Sequence, residues 1–190
     1  MIPLSNRNAL RGIALAFVIS PALLTTPAMT KEDTAMFKRL FPGLGKAESV
    51  PDLVALQASA VKAVAADVTD LQDGTWEDRD WVYLAVNHEV LVGDGRRSST
   101  QASVLARKQG APLEDLDFRL SMSSKSHLLA LRDAMAATDG RTWTVLDLTV
   151  ERSGRYDFAF SYDPPPRLGG NLLHSPLTGL LDRYLREHAK

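Results

Sequence analysis

The side chains that most often carry catalysis or bind metals are dispersed along this 190-residue chain. Its four histidines are His88, His127, His174 and His188, and none lies at metal-ligand spacing from another histidine. No serine lies in a Gly-x-Ser-x-Gly elbow, and no glycine-rich stretch carries the lysine of a phosphate loop. The chain has no cysteine, which excludes thiolate ligands and a cysteine nucleophile. We therefore predict no metal, no cofactor and no enzyme activity, while an active site built from distant residues stays open.

One acidic segment has the composition of a partner-binding surface. Residues 67–80 contain six carboxylates against one arginine, a net charge of −5, and Trp76 and Trp81 lie within or next to them. Carboxylates steer a basic protein surface, and tryptophan is a frequent interface anchor. The alternative interpretation is a solvated helix end and loop. The candidate partner-binding residues of this segment are Asp73, Trp76, Glu77, Asp78, Asp80 and Trp81.

An aromatic side chain occupies every second position of the stretch YDFAFSY, residues 156–162. This period of two is typical of the buried face of a strand. The alternative, an RNA-reading strand, requires a basic surround. Lys and Arg total 22 and Asp and Glu 23, so the whole chain gives no such field. We interpret the row as core and expect no nucleic-acid partner.

The residues before this stretch predict a hairpin and its register. A three-residue loop at residues 152–154, with Gly154 in the left-handed conformation, pairs Leu148 with Phe158 and creates one continuous apolar face. A two-residue turn would put the leucines and the aromatics on opposite faces. The three-residue loop leaves Asp147 and Asp157 on the opposite, polar face, and we add them to the candidate partner-binding residues.

The elements that would position these residues follow from hydrophobic spacing. Helices are predicted over residues 51–68, 123–138 and 176–188. Strands are predicted over residues 81–86, 89–92, 101–107, 116–122, 143–150 and 155–162. The order favours a single-domain α+β fold in which an antiparallel sheet of about five to six strands packs against helices. With 45% hydrophobic residues, the chain has enough apolar surface for such a core.

Residues 1–28 have the pattern of a signal peptide. Arg7 and Arg11 precede an apolar run at residues 12–24, and the small residue Ala28 offers a cleavage point. The run is too short for an ordinary membrane-spanning helix, so no stable membrane anchor is expected. Cleavage would make the protein periplasmic or secreted; a true start at Met29 would make it cytoplasmic. Residues 29–50 are predicted to form an N-terminal arm or short helix, and residues 51–190 the α+β domain.

Residues 143–163 resemble the C-terminal hairpin of the YezG-like family of bacterial antitoxin and immunity proteins. The resemblance lies in Trp143 opening a strand, the glycine turn at Gly154, and an aromatic-acidic strand that ends in Tyr162 and Asp163. The order of elements from about residue 51 onward also fits the family. The three prolines at residues 164–166 depart from the family's more acidic loop.

The resemblance implies a non-catalytic immunity protein that binds and neutralises a cognate bacterial toxin during competition between bacteria. In the family's better-known cases the toxin is a nuclease, and a signal peptide would instead suit a toxin that acts in the periplasm. The alternative function is a periplasmic ligand-binding protein. The sequence leaves the oligomeric state open.

Overall fold

The computed structural model describes residues 51–188, so the predicted signal peptide and N-terminal arm lie outside the described residues. Three helices and five strands follow one another in this part of the chain. They are α1 (Leu53–Ala66), β1 (Arg79–Val92), β2 (Arg96–Lys108), β3 (Glu114–Asp117), α2 (Met122–Asp139), β4 (Val145–Glu151), β5 (Tyr156–Ser161) and α3 (Leu180–His188). None of the helices described here has the length and apolar character needed to cross a membrane.

The strands form one antiparallel sheet in the order β3-β2-β1-β4-β5. This confirms the predicted α+β fold, with five strands. One side of the sheet, the helix face, holds the main core. Its buried side chains include Leu84, Val86, Val104, Leu146 and Leu148 from the strands and Ala60, Val64 and Leu128 from α1 and α2. Trp143, just before β4, is the largest fully buried side chain.

The opposite side of the sheet, the strap face, is covered in part by residues 163–179, which we call the strap, and by α3. Leu180 at the start of α3 packs against Ala85 of β1 and Leu105 of β2 in a small second core. The strap reaches β1 and β2 through Arg167. On β4 and β5, by contrast, Asp147 and Asp157 of this face are exposed.

β1 runs without a break through residues 79–92, so the prediction of two strands joined at Asn87 and His88 is wrong. The polar residues in its middle are buried in the strand because each finds a partner elsewhere in the fold. Asn87 donates to Asp147, His88 lies 2.7 Å from the Thr100 hydroxyl, and Glu89 accepts from the Leu168 amide. Each of these bonds offsets part of the cost of burying a polar side chain, while Asn87 Oδ1, His88 Nε2 and Glu89 Oε1 have no hydrogen-bond partner in the structure.

The predicted hairpin register is confirmed. Leu148 pairs with Phe158 and Val150 with Tyr156, and Gly154 has φ = 90°. That backbone conformation is strained for any residue with a Cβ, so glycine sets the turn. Along β5, Phe158 and Phe160 are half-buried against the core, with Tyr156 more exposed at the end of the row.

Several predicted boundaries differ from the structure. The strand predicted over residues 101–107 is longer, since β2 begins at Arg96, and two further differences have a visible local cause. The strand predicted over residues 116–122 corresponds to β3, which covers residues 114–117. It cannot extend to residue 122, because Ser121 caps α2 and accepts a hydrogen bond from the Ser124 amide. The last helix begins at Leu180 instead of Pro176, because Gly179 has φ = 70°, which a right-handed helix cannot contain.

Candidate partner-binding surfaces

Two arginines hold the backbone of the acidic segment: Arg79, at the start of β1, and Arg119, which follows β3. Arg79 donates to the carbonyl oxygens of Thr75, at 3.0 Å, and Trp76, at 2.9 Å. Arg119 donates to the carbonyl oxygens of Leu71 and Gln72. Because these bonds hold the backbone itself, the loop presents its side chains in a defined arrangement.

Residues 73–80 of this segment, which we call the acidic loop, carry carboxylates that differ in whether a nearby cation neutralises them. Glu77 forms ion pairs with Lys108 and with Arg79, and the hydrogen bond from Lys108 lowers the pKa of Glu77. Asp73, Asp78 and Asp80 are exposed and have no ion pair within residues 51–188. They leave a negative field that a basic partner would meet.

The two tryptophans of the segment are half-buried and pack against the main core. The Arg152 guanidinium lies 5.0 Å from the centre of the Trp81 ring. Cation–π contact of this kind holds an arginine over an aromatic face. Both rings therefore pack between the main core and the acidic segment with the start of β1.

Glu77 has φ = 50° and is the one non-glycine residue with positive φ among the described residues. Such strain costs about 1–3 kcal/mol and persists where the surroundings enforce it. Glu77, Asp78 and Asp80 line a cleft of about 700 Å³ whose other wall holds Arg107 and Lys108. The ion pair with Lys108 is the contact that holds Glu77 against that wall.

Asp147 and Asp157 lie on the adjacent strands β4 and β5 and share the strap face. Asp147 is opposite Ala159, and Asp157 is opposite Thr149, so the two carboxylates are diagonal neighbours. Asn87 Nδ2 donates to Asp147 Oδ1 at 2.6 Å. The structure thus brings this predicted pair together on an exposed surface.

The acidic loop and the Asp147–Asp157 pair form separate surfaces. Asp157 lies level with Ala85 of β1, two strands away, whereas Asp80 lies at the start of β1. Five residues along a strand and two strand spacings across correspond to roughly 15 Å and roughly 10 Å. The eight predicted residues therefore do not converge on one site.

A buried polar cluster beneath the strap was missed by the sequence analysis. Arg167 is 6% exposed and donates to the Ser99 hydroxyl at 2.9 Å, while its Nη1 lies 3.5 Å from Oε1 of Glu89, which is fully buried. Burial lowers the pKa of Arg167, and the nearby Glu89 opposes that change. The sequence signal was a polar triplet, residues 87–89, inside an apolar run.

The histidines do not assemble a site. His88 is fully buried in the main core, where burial and the positive charges of Lys125, Arg167 and Arg132 lower its pKa to about 4. Nδ1 of His88 bonds Thr100, and Nε2 has no hydrogen-bond partner in the structure. Across residues 51–188, no group of three or more His, Asp or Glu side chains is placed to hold a metal ion.

A second cavity, of about 480 Å³, lies between β2, β3 and the end of the strap. Its lining includes Gln101, Ser103, Asp115 and Asp117. Ser103 hydrogen-bonds Asp115, and partial burial together with the charge of Asp115 raises the pKa of Asp117. This arrangement offers acceptors for a small polar ligand.

Comparison with known proteins gives no match, either to the models of known families or among curated proteins.

Proposed function

We propose that this protein is a non-catalytic immunity protein that binds and neutralises a bacterial toxin. The observation that carries the proposal is the acidic loop, in which Asp73, Asp78 and Asp80 are exposed and without ion pairs in the described part of the chain. Arg79 and Arg119 already hold the loop backbone, so little ordering entropy is lost on binding. A fixed group of carboxylates suits a basic surface such as that of a nuclease.

The resemblance of residues 143–163 to the YezG-like hairpin supports the same function, since that family contains antitoxin and immunity proteins. The second candidate function, ligand binding, draws on the 480 Å³ cavity lined by Gln101, Asp115 and Asp117. A small polar ligand retained by the purified protein would favour that function.

The test begins with a pull-down of the tagged full-length protein from its native cells, with partners identified by mass spectrometry. We expect a partner that arrests growth when expressed alone and becomes harmless when this protein is co-expressed. A partner without toxicity, or toxicity that this protein does not relieve, would rule the proposal out.

The role of the loop is tested by changing Asp73, Asp78 and Asp80 to Asn together. Removal of three charges from a steered interface should weaken toxin binding by about tenfold or more, mostly through slower association at low salt. A control variant with Asp94→Asn, Asp182→Asn and Glu187→Gln loses the same charge at exposed positions elsewhere. Equal affinities of the two variants in surface plasmon resonance would remove the loop from the interface.

A further inference from the structure

The outer edge of β5 carries backbone groups that no other strand pairs with among residues 51–188. The Glu151 amide donates to the Arg155 carbonyl at 2.8 Å, so residues 151 and 155 form a hydrogen-bonded pair. Such pairs alternate along an antiparallel ladder. In this register the N–H and C=O groups of Tyr156, Phe158 and Phe160 therefore point away from β4.

The two faces next to this edge differ in chemistry. On the helix face, Phe158 and Phe160 stack with ring centres 5.9 Å apart, and Tyr156 is 37% exposed. On the strap face lie the exposed residues Asp157 and Ala159. The edge is therefore apolar on one side and acidic on the other.

The small side chain of Ala159 leaves the Asp147 carboxylate accessible from the outer edge of β5. It lies directly opposite Asp147, and both side chains are on the strap face. An added strand would lie about 4.8 Å beyond β5. A lysine or arginine of that strand placed opposite Ala159 could pass over the methyl group toward Asp147, while one placed opposite Asp157 would pair with it directly.

We propose that β5 is the docking site for an extended segment of a partner protein in which apolar and basic side chains alternate, added to the sheet as a sixth strand. Backbone bonds supply affinity in this mode of recognition, and alternate side chains supply specificity. A second copy of this chain fits less well, because it would bring two more carboxylates to the same face. For the identity of the partner, this inference rests on the proposed function, with the partner segment belonging to the toxin.

The direct test uses the ¹⁵N-labelled full-length protein and a capped nine-residue peptide of alternating valine and lysine. Peptide binding should slow amide exchange at Tyr156, Phe158 and Phe160 by at least about tenfold. The amides of Asp157 and Ala159, which face β4, should change little. This odd–even pattern distinguishes strand addition from contact with side chains alone.

Two sets of control peptides test the backbone and the charge separately. N-methylation at alternate peptide residues removes the hydrogen bonds on one edge of the peptide, so one of the two methylated series should lose binding and the other should keep it. A valine–glutamate peptide should not bind.

The Asp147→Asn, Asp157→Asn variant should bind the lysine peptide about two- to tenfold more weakly. An Asp94→Asn, Asp182→Asn variant should bind it as the unchanged protein does.

Several outcomes would overturn strand addition. These are absence of protection at millimolar peptide, equal binding of the glutamate peptide, equal tolerance of both methylated series, and a dimer in sedimentation equilibrium that protects the same three amides without peptide. The proposed function and the docking site can fail separately. If this protein neutralises a toxin that leaves the β5 amides unprotected, only the docking site is ruled out. If the peptide binds as expected but no toxic partner is found, only the immunity function is ruled out.

Discussion

At the scale of single residues, buried polar side chains depend on hydrogen-bond partners that the fold brings close to them. His88 lies in the main core, and the rings of His88 and Trp143 meet edge to face at 6.4 Å. A neutral imidazole is tolerated there because Thr100 bonds Nδ1. A charged one would be desolvated beside other positive groups.

We expect His88 to make the stability of the protein depend on pH. Its folded pKa of about 4 lies below the ordinary value of 6.5, so the unfolded state takes up the proton first as the pH falls. Stability is therefore lost as the pH falls from 6.5 to 4, by about 2–3 kcal/mol at the lower end of this range. Urea unfolding at several pH values gives the free energy of unfolding of the protein and of His88→Leu. Between pH 6.5 and pH 4, this free energy should fall by that amount more in the unchanged protein than in His88→Leu. His127→Gln, at a partly exposed site, should keep the pH dependence of the unchanged protein. A pH dependence that is the same in His88→Leu would contradict the assignment.

Gly154 supports a second prediction at this scale. Because φ is 90° there, Gly154→Ala should lower the free energy of unfolding by about 1–2 kcal/mol. Gly95 sits in the β1–β2 turn with an ordinary φ and open space around it, so Gly95→Ala should change stability by less than about 0.5 kcal/mol. Thermal unfolding of both variants checks this, and equal effects would argue against the hairpin loop described here.

At the scale of elements, the strap is joined to the sheet by one buried ion pair. Glu89 also accepts from the Leu168 amide at 3.0 Å, so it holds both the side chain and the backbone of the strap. Removing either partner leaves a buried charge without its opposite charge. Removing both leaves two apolar side chains that pack against each other.

The strap contact predicts strong energetic coupling. Glu89→Leu and Arg167→Met should each lower the free energy of unfolding by about 3–5 kcal/mol, and the double variant should lose less than either single variant. Arg155→Met breaks the solvent-screened pair with Glu151 and should lower the free energy of unfolding far less than either buried substitution. Urea denaturation of the four variants measures the coupling, and additive losses would show that the two side chains act independently.

At the scale of the whole molecule, the acidic loop and the β5 edge lie on different parts of one sheet. A partner that reaches both would have to span roughly 15 Å along the strands. The described residues begin at 51, so cleavage after Ala28 would remove none of them. If the proposed immunity function holds, location in the cell decides which toxins the protein can meet.

The predicted signal peptide is checked on protein from the native cells. We expect intact-mass measurement of the periplasmic fraction to give a chain that starts near Met29. An uncleaved chain recovered from the cytoplasm would contradict secretion. Under the proposed function, it would also direct the search for a toxin to those that act inside the cell.

The sequence by itself determined the elements whose signal is local. Alternation of apolar residues gave the strands β4 and β5, and one left-handed glycine gave the register between them, because pleat and turn depend only on neighbours along the chain. It also placed Asp147 and Asp157 on one face. These features are the ones that the structure confirms most directly.

Only the tertiary structure decided the features that depend on partners distant in the sequence. It kept β1 continuous through Asn87, His88 and Glu89, because the groups that satisfy them come from residues 100, 147, 167 and 168. It placed the predicted residues on two surfaces and left β5 at the edge of the sheet. Strand order and burial arise from long-range packing, which the local pattern of residues does not encode.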